Sequence, residues 1–442
     1  MAKYFIPLLT AAILLAACSD MPSLWEGSEP EEPKLPGERI AIMPKENAVE
    51  ADASLEGKKA YVPDFSVNKA WPQHGGRAES HRGNFALRST EVGARVTIGD
   101  GNGWETRLVP SPVVAAGRVF AMDARGYVSA HKAGDISTVL WTSDVAVELD
   151  EPELLGGGLA YDNGQLFIAT GYGKVYALAA NDGSLRWQRA INIPLRAAPR
   201  VAENKVFIIS VDNQAFALDT LTGAEVWSDR GINEKAGFVG SVVPGYGDGK
   251  IVMAYSSGEV RALNAVNGAE LWSDMLILPR RTSAIAALSG IDAGPLVLNG
   301  IVFAVSNTGL MVANDGITGR SMWQQQIASH YTPWALGDSL YMLTTDNQLV
   351  ALQMEDGRVR WVSDLFAPLD EDEQEILRVA PPVAAGNNLL VSTNIGRMLV
   401  VSPQDGSVNT EFTIPEDIVT TPVIANGVMY LLDTDATLYA LQ

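Results

Sequence analysis

The residues able to do chemistry are few and scattered. The chain of 442 residues holds one cysteine, Cys18, and four histidines, His74, His81, His131 and His330. A lone thiol excludes an internal disulfide and any multi-cysteine zinc or iron–sulfur site. No two histidines stand at metal-ligand spacing. Carboxylates such as Asp182, Asp356 and Asp405 fall in glycine-containing turns, where an acidic side chain caps its own backbone. No catalytic set, metal site or cofactor site is therefore expected, and the chain reads as something other than an enzyme.

The thiol has a special address. Residues 1–18 read MAKYFIPLLTAAILLAAC. One lysine precedes an apolar run that is too short to span a bilayer comfortably and has the form of a secretory signal peptide, residues 1–17. Leu15-Ala16-Ala17-Cys18 resembles the bacterial lipobox. That resemblance implies cleavage before Cys18 and acylation there by chains such as palmitate. Each CH₂ buried in lipid contributes roughly 0.8 kcal/mol, so two or three chains anchor stably. Ser19 follows in place of an aspartate, which by the same resemblance favours the periplasmic face of the outer membrane. Residues 18–70 are rich in Pro, Glu and Lys without apolar periodicity. They read as a lipidated cysteine and a flexible acidic tether, with a span on the order of 40 Å.

Charge and composition bound the rest. With 32 basic and 52 acidic residues the net charge is −20, which argues against nucleic acid as a partner. At 47% hydrophobic residues the chain is far too apolar to be disordered.

The elements that carry these residues are repeats. VYALAANDGSLRW, AFALDTLTGAEVW, VRALNAVNGAELW, MVANDGITGRSMW and LVALQMEDGRVRW end at Trp187, Trp227, Trp272, Trp323 and Trp361. Each holds a glycine four residues before its tryptophan: Gly183, Gly223, Gly268, Gly319 and Gly357. A weaker copy has Gly406 and Thr410, and an earlier one ends at Trp141. Upstream of each lies a strand–turn–strand theme such as SPVVAAGRVFAM or TPVIANGVMYLL. Successive positions from Trp141 to Thr410 are 46, 40, 45, 51, 38 and 49 residues apart. Four short antiparallel strands per period of this length predict propeller blades. The fold class is all-β, an eight-bladed propeller over residues 71–442. Blades start near Ser111, Gly158, Ala197, Gly240, Ala293, Tyr331, Ala380 and Thr420. The eighth lacks its last strand, and the N-terminal stretch ending in residues 99–108 is expected to supply it. The tryptophans read as packing plates between blades.

The repeat resembles the pyrroloquinoline-quinone-like repeat of quinoprotein dehydrogenases and their non-enzymatic relatives. Lipobox, acidic tether and one eight-bladed body together resemble the BamB family of outer-membrane assembly lipoproteins. The phrases DAGPLVLNGIVFAVSNTGLMVANDGITGRSMWQQQ and GDSLYMLTTDNQLVALQMEDGRVRWVSDLF carry the likeness. It implies a scaffold of the Bam complex that binds the periplasmic POTRA domains of a BamA-like barrel-inserting subunit, beside the other Bam lipoproteins. Nascent outer-membrane proteins are a further partner it implies. The family's binding surface matches residues 228–240 and 275–292 here. Asp292 matches a family aspartate, and Gly290 stands where the family has another, with Ile291 between them. A family Leu-x-Leu-Arg element corresponds to Ala236-Gly237-Phe238-Val239, so Phe238 keeps apolar character and the arginine is absent. Arg280 and Arg281 are candidates for that charge. Long apolar loops with arginine suit a partner interface.

Two other classes compete. A quinoprotein dehydrogenase needs a catalytic carboxylate, calcium ligands and usually a disulfide, and no vicinal cysteines exist. A periplasmic ligand-binding or sensor propeller would use its central channel, but no residue pattern names a ligand.

Overall fold

A computed structural model describes residues 49–79, 82–102, 110–145, 157–195, 197–232, 242–276 and 290–442. Eight four-stranded antiparallel sheets form a propeller. Blades 1 to 7 occupy residues 113–144, 157–190, 200–230, 245–275, 296–325, 334–363 and 383–413. Blade 8 combines residues 423–441 with the strand Val92–Thr97, which pairs antiparallel with Thr437–Leu441. Strands are lettered a to d from the axis outward.

The sequence pattern explains this layering. Second strands such as Lys205–Ile209 and Ile301–Val305 are near-continuous apolar runs, because neighbouring blades cover both faces. Fourth strands such as Leu185–Ala190 bury one residue, the tryptophan, and leave the rest exposed or half-buried.

Each tryptophan locks two blades. Ala177 faces Trp187 across strands c and d, so a small side chain leaves room for the indole, and the register shifts immediately after it. The same pairing joins Ala130 to Trp141, Ala217 to Trp227, Ala262 to Trp272, Ala313 to Trp323 and Ala351 to Trp361. The indole then packs on the turn glycine of the following blade and donates to a carbonyl there, as from Trp227 to Ala265 O at 3.3 Å. Blade 7 has Thr410 at this position. Blade 8 has no c–d turn, because its fourth strand arrives from the N-terminal side, so no glycine waits for an indole.

Ring closure by an N-terminal strand matches the expectation, but the strand lies upstream of residues 99–108. Gly99 and Gly101 instead wedge between blades 8 and 1. A Cβ on Gly99 would come within 2.2 Å of the Asp123 carboxylate, and one on Gly101 within 2.6 Å of the Asp435 backbone. Their density marks a tight passage, where Asp100 N donates to Asp123 at 2.9 Å. Residues 103–109, with Trp104, lie outside the described residues.

The expected tether is also shorter. From residue 49 the chain lies on the ring. Asp52 N donates to Val359 O at 2.9 Å, and Ala60 exchanges two hydrogen bonds with the Gln404 side chain. Without apolar periodicity the segment forms no strand there, and its backbone groups are satisfied by blade turns instead. Residues 1–48, with the leader and Cys18, lie outside the described residues.

Residues 66–88 cross the axial mouth. Asn68 O accepts from Asn426 N in blade 8, Trp71 bridges Val114 in blade 1, and Pro72 O accepts from Tyr161 N in blade 2. Gln73 exchanges two bonds of 2.9 Å with Val201 in blade 3. The chain returns by Gly83 to Ala335 in blade 6, Phe85 to Ala384 in blade 7 and Arg88 to Gly427 in blade 8. Trp71 stacks on Trp334 at 6.0 Å, and Phe85 stands edge-on to both. Arg200, fully buried, donates to Pro244 O, His74 O and Arg77 O at 2.9–3.1 Å.

Candidate partner-binding face

Strand order gives the propeller two different faces. One carries the a–b and c–d turns, as Thr220 N bonding to Asn204 O illustrates, and residues 49–88 lie there. The other carries the b–c turns and the described blade-to-blade connections, and the described ends of both predicted partner loops, residues 228–232, 275–276 and 290–292, lie there. On this connection face, blades 3, 4 and 5 are tied by polar side chains.

At the blade 3–4 joint, Asn213 Oδ1 accepts from Ser256 N and Oγ, both at 3.0 Å. Arg261 Nη1 donates to Asp229 Oδ1 at 3.1 Å, and Nη2 to Glu259 Oε1 at 2.7 Å. Tyr255 OH donates to Asp229 Oδ2 at 2.6 Å, and the guanidinium sits 5.8 Å above the Tyr255 ring. Burial opposes charge on Glu259, but donors from Ile232, Arg261 and Ser257 hold its carboxyl below the usual range. Burial also works against the Arg261 cation, and its two carboxylates hold it above its ordinary value. Burial and the bond to Asp229 push the Tyr255 hydroxyl well up.

At the blade 4–5 joint, Gly290 N donates to Asn307 Oδ1 at 3.2 Å, and Asn307 Nδ2 to Asp292 Oδ2 at 2.7 Å. His330 Nδ1 donates to the same Asp292 oxygen at 3.0 Å. Asp292 thus joins blade 5 to the connection entering blade 6.

Among the sequence-predicted contacts, Gly290, Ile291 and Asp292 are described, and they are brought together as a brace. Ile291 is fully buried in the core, and Asp292 is buried beneath His330 and Asn307. A Cβ on Gly290 would come within 2.9 Å of Ser256 O, so this place takes no aspartate side chain without displacing blade 4. Ala236, Phe238, Val239, Arg280 and Arg281 lie outside the described residues. Sequence reading missed Arg261 and Glu259, although an arginine in VRALN stands where Tyr176, Phe216, Val312 and Val350 occupy the sister strands. It also missed Arg200, a charge directly after the proline of a Pro-led apolar strand.

On the opposite face, a cavity of about 760 Å³ opens beside the axial segment, lined by Val67, Arg77, Phe85, Tyr246, Leu298 and Ala335 among others. Among the described residues no group of three His, Cys, Asp or Glu side chains could hold a metal ion.

A family profile described as outer membrane protein assembly factor BamB matches residues 124–363 and 369–442. The chain belongs to the BamB family. Its relatives include BamB of Escherichia coli K12, 28% identical over 337 residues, covering 75% of this chain and 83% of that protein. BamB of Moranella endobia is 22% identical over 335 residues, covering 75% and 84%. The crystal structure of BamB from Moraxella catarrhalis superposes with a TM-score of 0.66 at 22% identity, over 79% of this chain and 100% of that one. Quinohemoprotein alcohol dehydrogenase from Comamonas testosteroni reaches 0.64 at 12% identity, over 88% and 81%. The fold is therefore shared with enzymes and does not decide function. Membership of the BamB family places the chain among outer-membrane protein assembly factors.

Proposed function

We propose that this BamB-family chain is a non-enzymatic, lipid-anchored scaffold of the Bam complex on the periplasmic side of the outer membrane. Cys18 carries the acyl chains, and residues 19–48 form the free part of the tether. The partner is a BamA-like barrel-inserting subunit, gripped at its POTRA domains by the connections 233–241 and 277–289. Other Bam lipoproteins sit in the same assembly, and nascent outer-membrane proteins pass beside it. Phe238, with its neighbours Ala236 and Val239, is the apolar anchor, and Arg280 and Arg281 supply charge.

The observation that supports this reading most is the brace on blades 3–5. Both connections spring from a collar of buried side-chain hydrogen bonds on the face opposite the N-terminal segment. Loops whose ends are already held lose less entropy on docking. The ligand-binding alternative has a weaker basis, because residues 66–88 cross the axial mouth on the turn face.

The test is co-purification from detergent-solubilised envelopes. Wild type recovers the barrel-inserting subunit, while Phe238→Glu combined with Arg280→Glu and Arg281→Glu does not, with an unchanged circular-dichroism spectrum. Asp292 is left intact, because it braces the fold. Equal recovery by both proteins would move the contact elsewhere, and recovery by neither would remove the scaffold reading.

A further inference from the structure

The end of blade 3 is held differently from its sisters. In blades 1, 2, 4 and 7 the chain leaves strand d by backbone bonds to a glycine carbonyl of the blade's own b–c turn, and in blade 2 Asn192 N shares Gly173 O with Ile191 N. These bonds run from Val145 to Gly126, Ile191 to Gly173, Leu276 to Gly258 and Ile414 to Gly396. Blade 3 makes the equivalent bond, Gly231 N to Asn213 O at 2.9 Å, and adds three more. Arg230 O accepts from Arg261 Nη1 at 3.2 Å. Ile232 N donates to Glu259 Oε2 at 2.6 Å. Ile232 O accepts from Asn213 Nδ2 at 2.8 Å. Gly231 lies flat on the Tyr255 ring, where a Cβ would come within 2.6 Å of the ring carbons. Residues 230–232 are the last before the connection 233–241.

Two of these added bonds come from charged side chains of the next blade. Arg261 and Glu259 belong to blade 4, and Asp229, Ser257 and Tyr255 complete their shell. Charges buried in this way contribute little net stability, since desolvation offsets their attraction. What they supply is a fixed direction, because charge-assisted bonds are short and geometrically demanding.

We propose that Arg261 and Glu259, seated by Asp229, Tyr255 and Asn213, are positioning residues for partner recognition. They hold residues 230–232, the described end of blade 3 from which the connection 233–241 continues. The inference rests on the scaffold reading for its partner but stands on described residues for its geometry. A fixed take-off at residues 230–232 lowers the ordering left for the encounter.

The experiment uses the full mature chain and purified POTRA domains of the barrel-inserting subunit. Binding and amide hydrogen exchange are measured for wild type, Glu259→Ala, Arg261→Met, Glu259→Gln and, as control, Arg397→Met, which breaks the exposed Arg397–Glu411 pair of blade 7. Glu259→Ala and Arg261→Met are expected to weaken binding at least tenfold and to speed exchange over residues 230–241, with protection in blades 6–8 unchanged. Glu259→Gln, which keeps an acceptor oxygen, recovers most of the loss, and Arg397→Met changes neither quantity. If a single variant loses protection throughout the ring, the combined Asp229→Asn, Arg261→Met and Glu259→Gln protein replaces it, since that leaves no lone buried charge. Affinity within twofold of wild type, with exchange over 230–241 unaltered, overturns the proposal. If wild type fails to bind while Glu259→Ala still loosens residues 230–241, the scaffold reading falls and the fixed take-off stands.

Discussion

Trp187 of blade 2 lies across Gly223 of blade 3. A Cβ on the glycine would come within 2.6 Å of the indole, whose Nε1 donates to Thr220 O at 2.9 Å. Gly183, Gly268, Gly319, Gly357 and Gly406 receive Trp141, Trp227, Trp272, Trp323 and Trp361 in the same way. The repeated glycine therefore has two jobs, a left-handed turn and a floor for the neighbour's indole. Spacing within one blade is thus a record of contact between two.

The two jobs can be separated by substitution. Gly223 has φ +70° beneath the indole, and Gly164 has φ +80° with nothing within 4 Å of a Cβ. Gly164→Ala carries only the backbone strain, about 1–2 kcal/mol. Gly223→Ala adds overpacking against Trp187, a further ~1–3 kcal/mol. Urea denaturation of both proteins should show the larger loss for Gly223→Ala. Equal losses would mean that the indole yields freely.

Acid should loosen the axial segment. Burial, and then the Arg200 guanidinium, push His74 down to about 4 from its ordinary 6.5. Between these values the unfolded chain binds a proton that the native His74 refuses. Stability is therefore complete above about 6.5 and falls as pH drops toward 4. The loss is on the order of 1–3 kcal/mol. His74→Gln removes the titration, so its stability against pH should be flatter over this window than that of wild type. Parallel curves would locate the acid sensitivity in other groups.

Asp292 should behave as a brace. Asp292→Ala leaves the Asn307 amide and the His330 ring without their shared acceptor, at a cost of roughly 1–3 kcal/mol. Asp292→Asn retains one acceptor oxygen and should recover about half of it. Thermal unfolding checks the order wild type, Asn, Ala. An unchanged midpoint in the alanine variant would return Asp292 to the surface-contact role expected from its family position.

Much of this architecture is legible in the chain because it repeats. Five copies of the Gly–Trp spacing and two weaker ones expose blade number and order, and period-2 apolar runs expose the strands. Features that occur once are harder to read. Residues 99–108 look like another repeat turn, yet Gly99 and Gly101 serve a close passage, and the closing strand precedes them. Residues 49–88 show no period, because their partners lie in six different blades. Arg261 and Arg200 become visible only when sister strands are aligned by their Ala–Trp pairing. Ile291 and Asp292 were legible as special positions, but sequence cannot separate a residue that touches a partner from one that braces a loop.

The N-terminal segment provides the sharpest test of the ring. Removing residues 1–48 takes away nothing that the ring's described hydrogen bonds use, so the unfolding midpoint should stay as it is. Removing residues 1–98 strips the partner of strand Thr437–Leu441, uncovers Trp334 and leaves Arg200 without two of its carbonyl acceptors. Loss of the buried Trp71 alone is worth about 3–5 kcal/mol. Joints 7–8 and 8–1 lack the indole–glycine lock among the described residues, so they depend on this segment more than the other joints do. The longer truncation should therefore unfold at least 10 °C lower, at roughly 2–4 °C per kcal/mol. A peptide of residues 49–98 added in trans should restore part of the difference, because its strand and its axial crossing bind surfaces the ring still presents. Calorimetry of the three proteins decides the matter, and equal midpoints would show that seven blades and an open eighth hold without the closing segment.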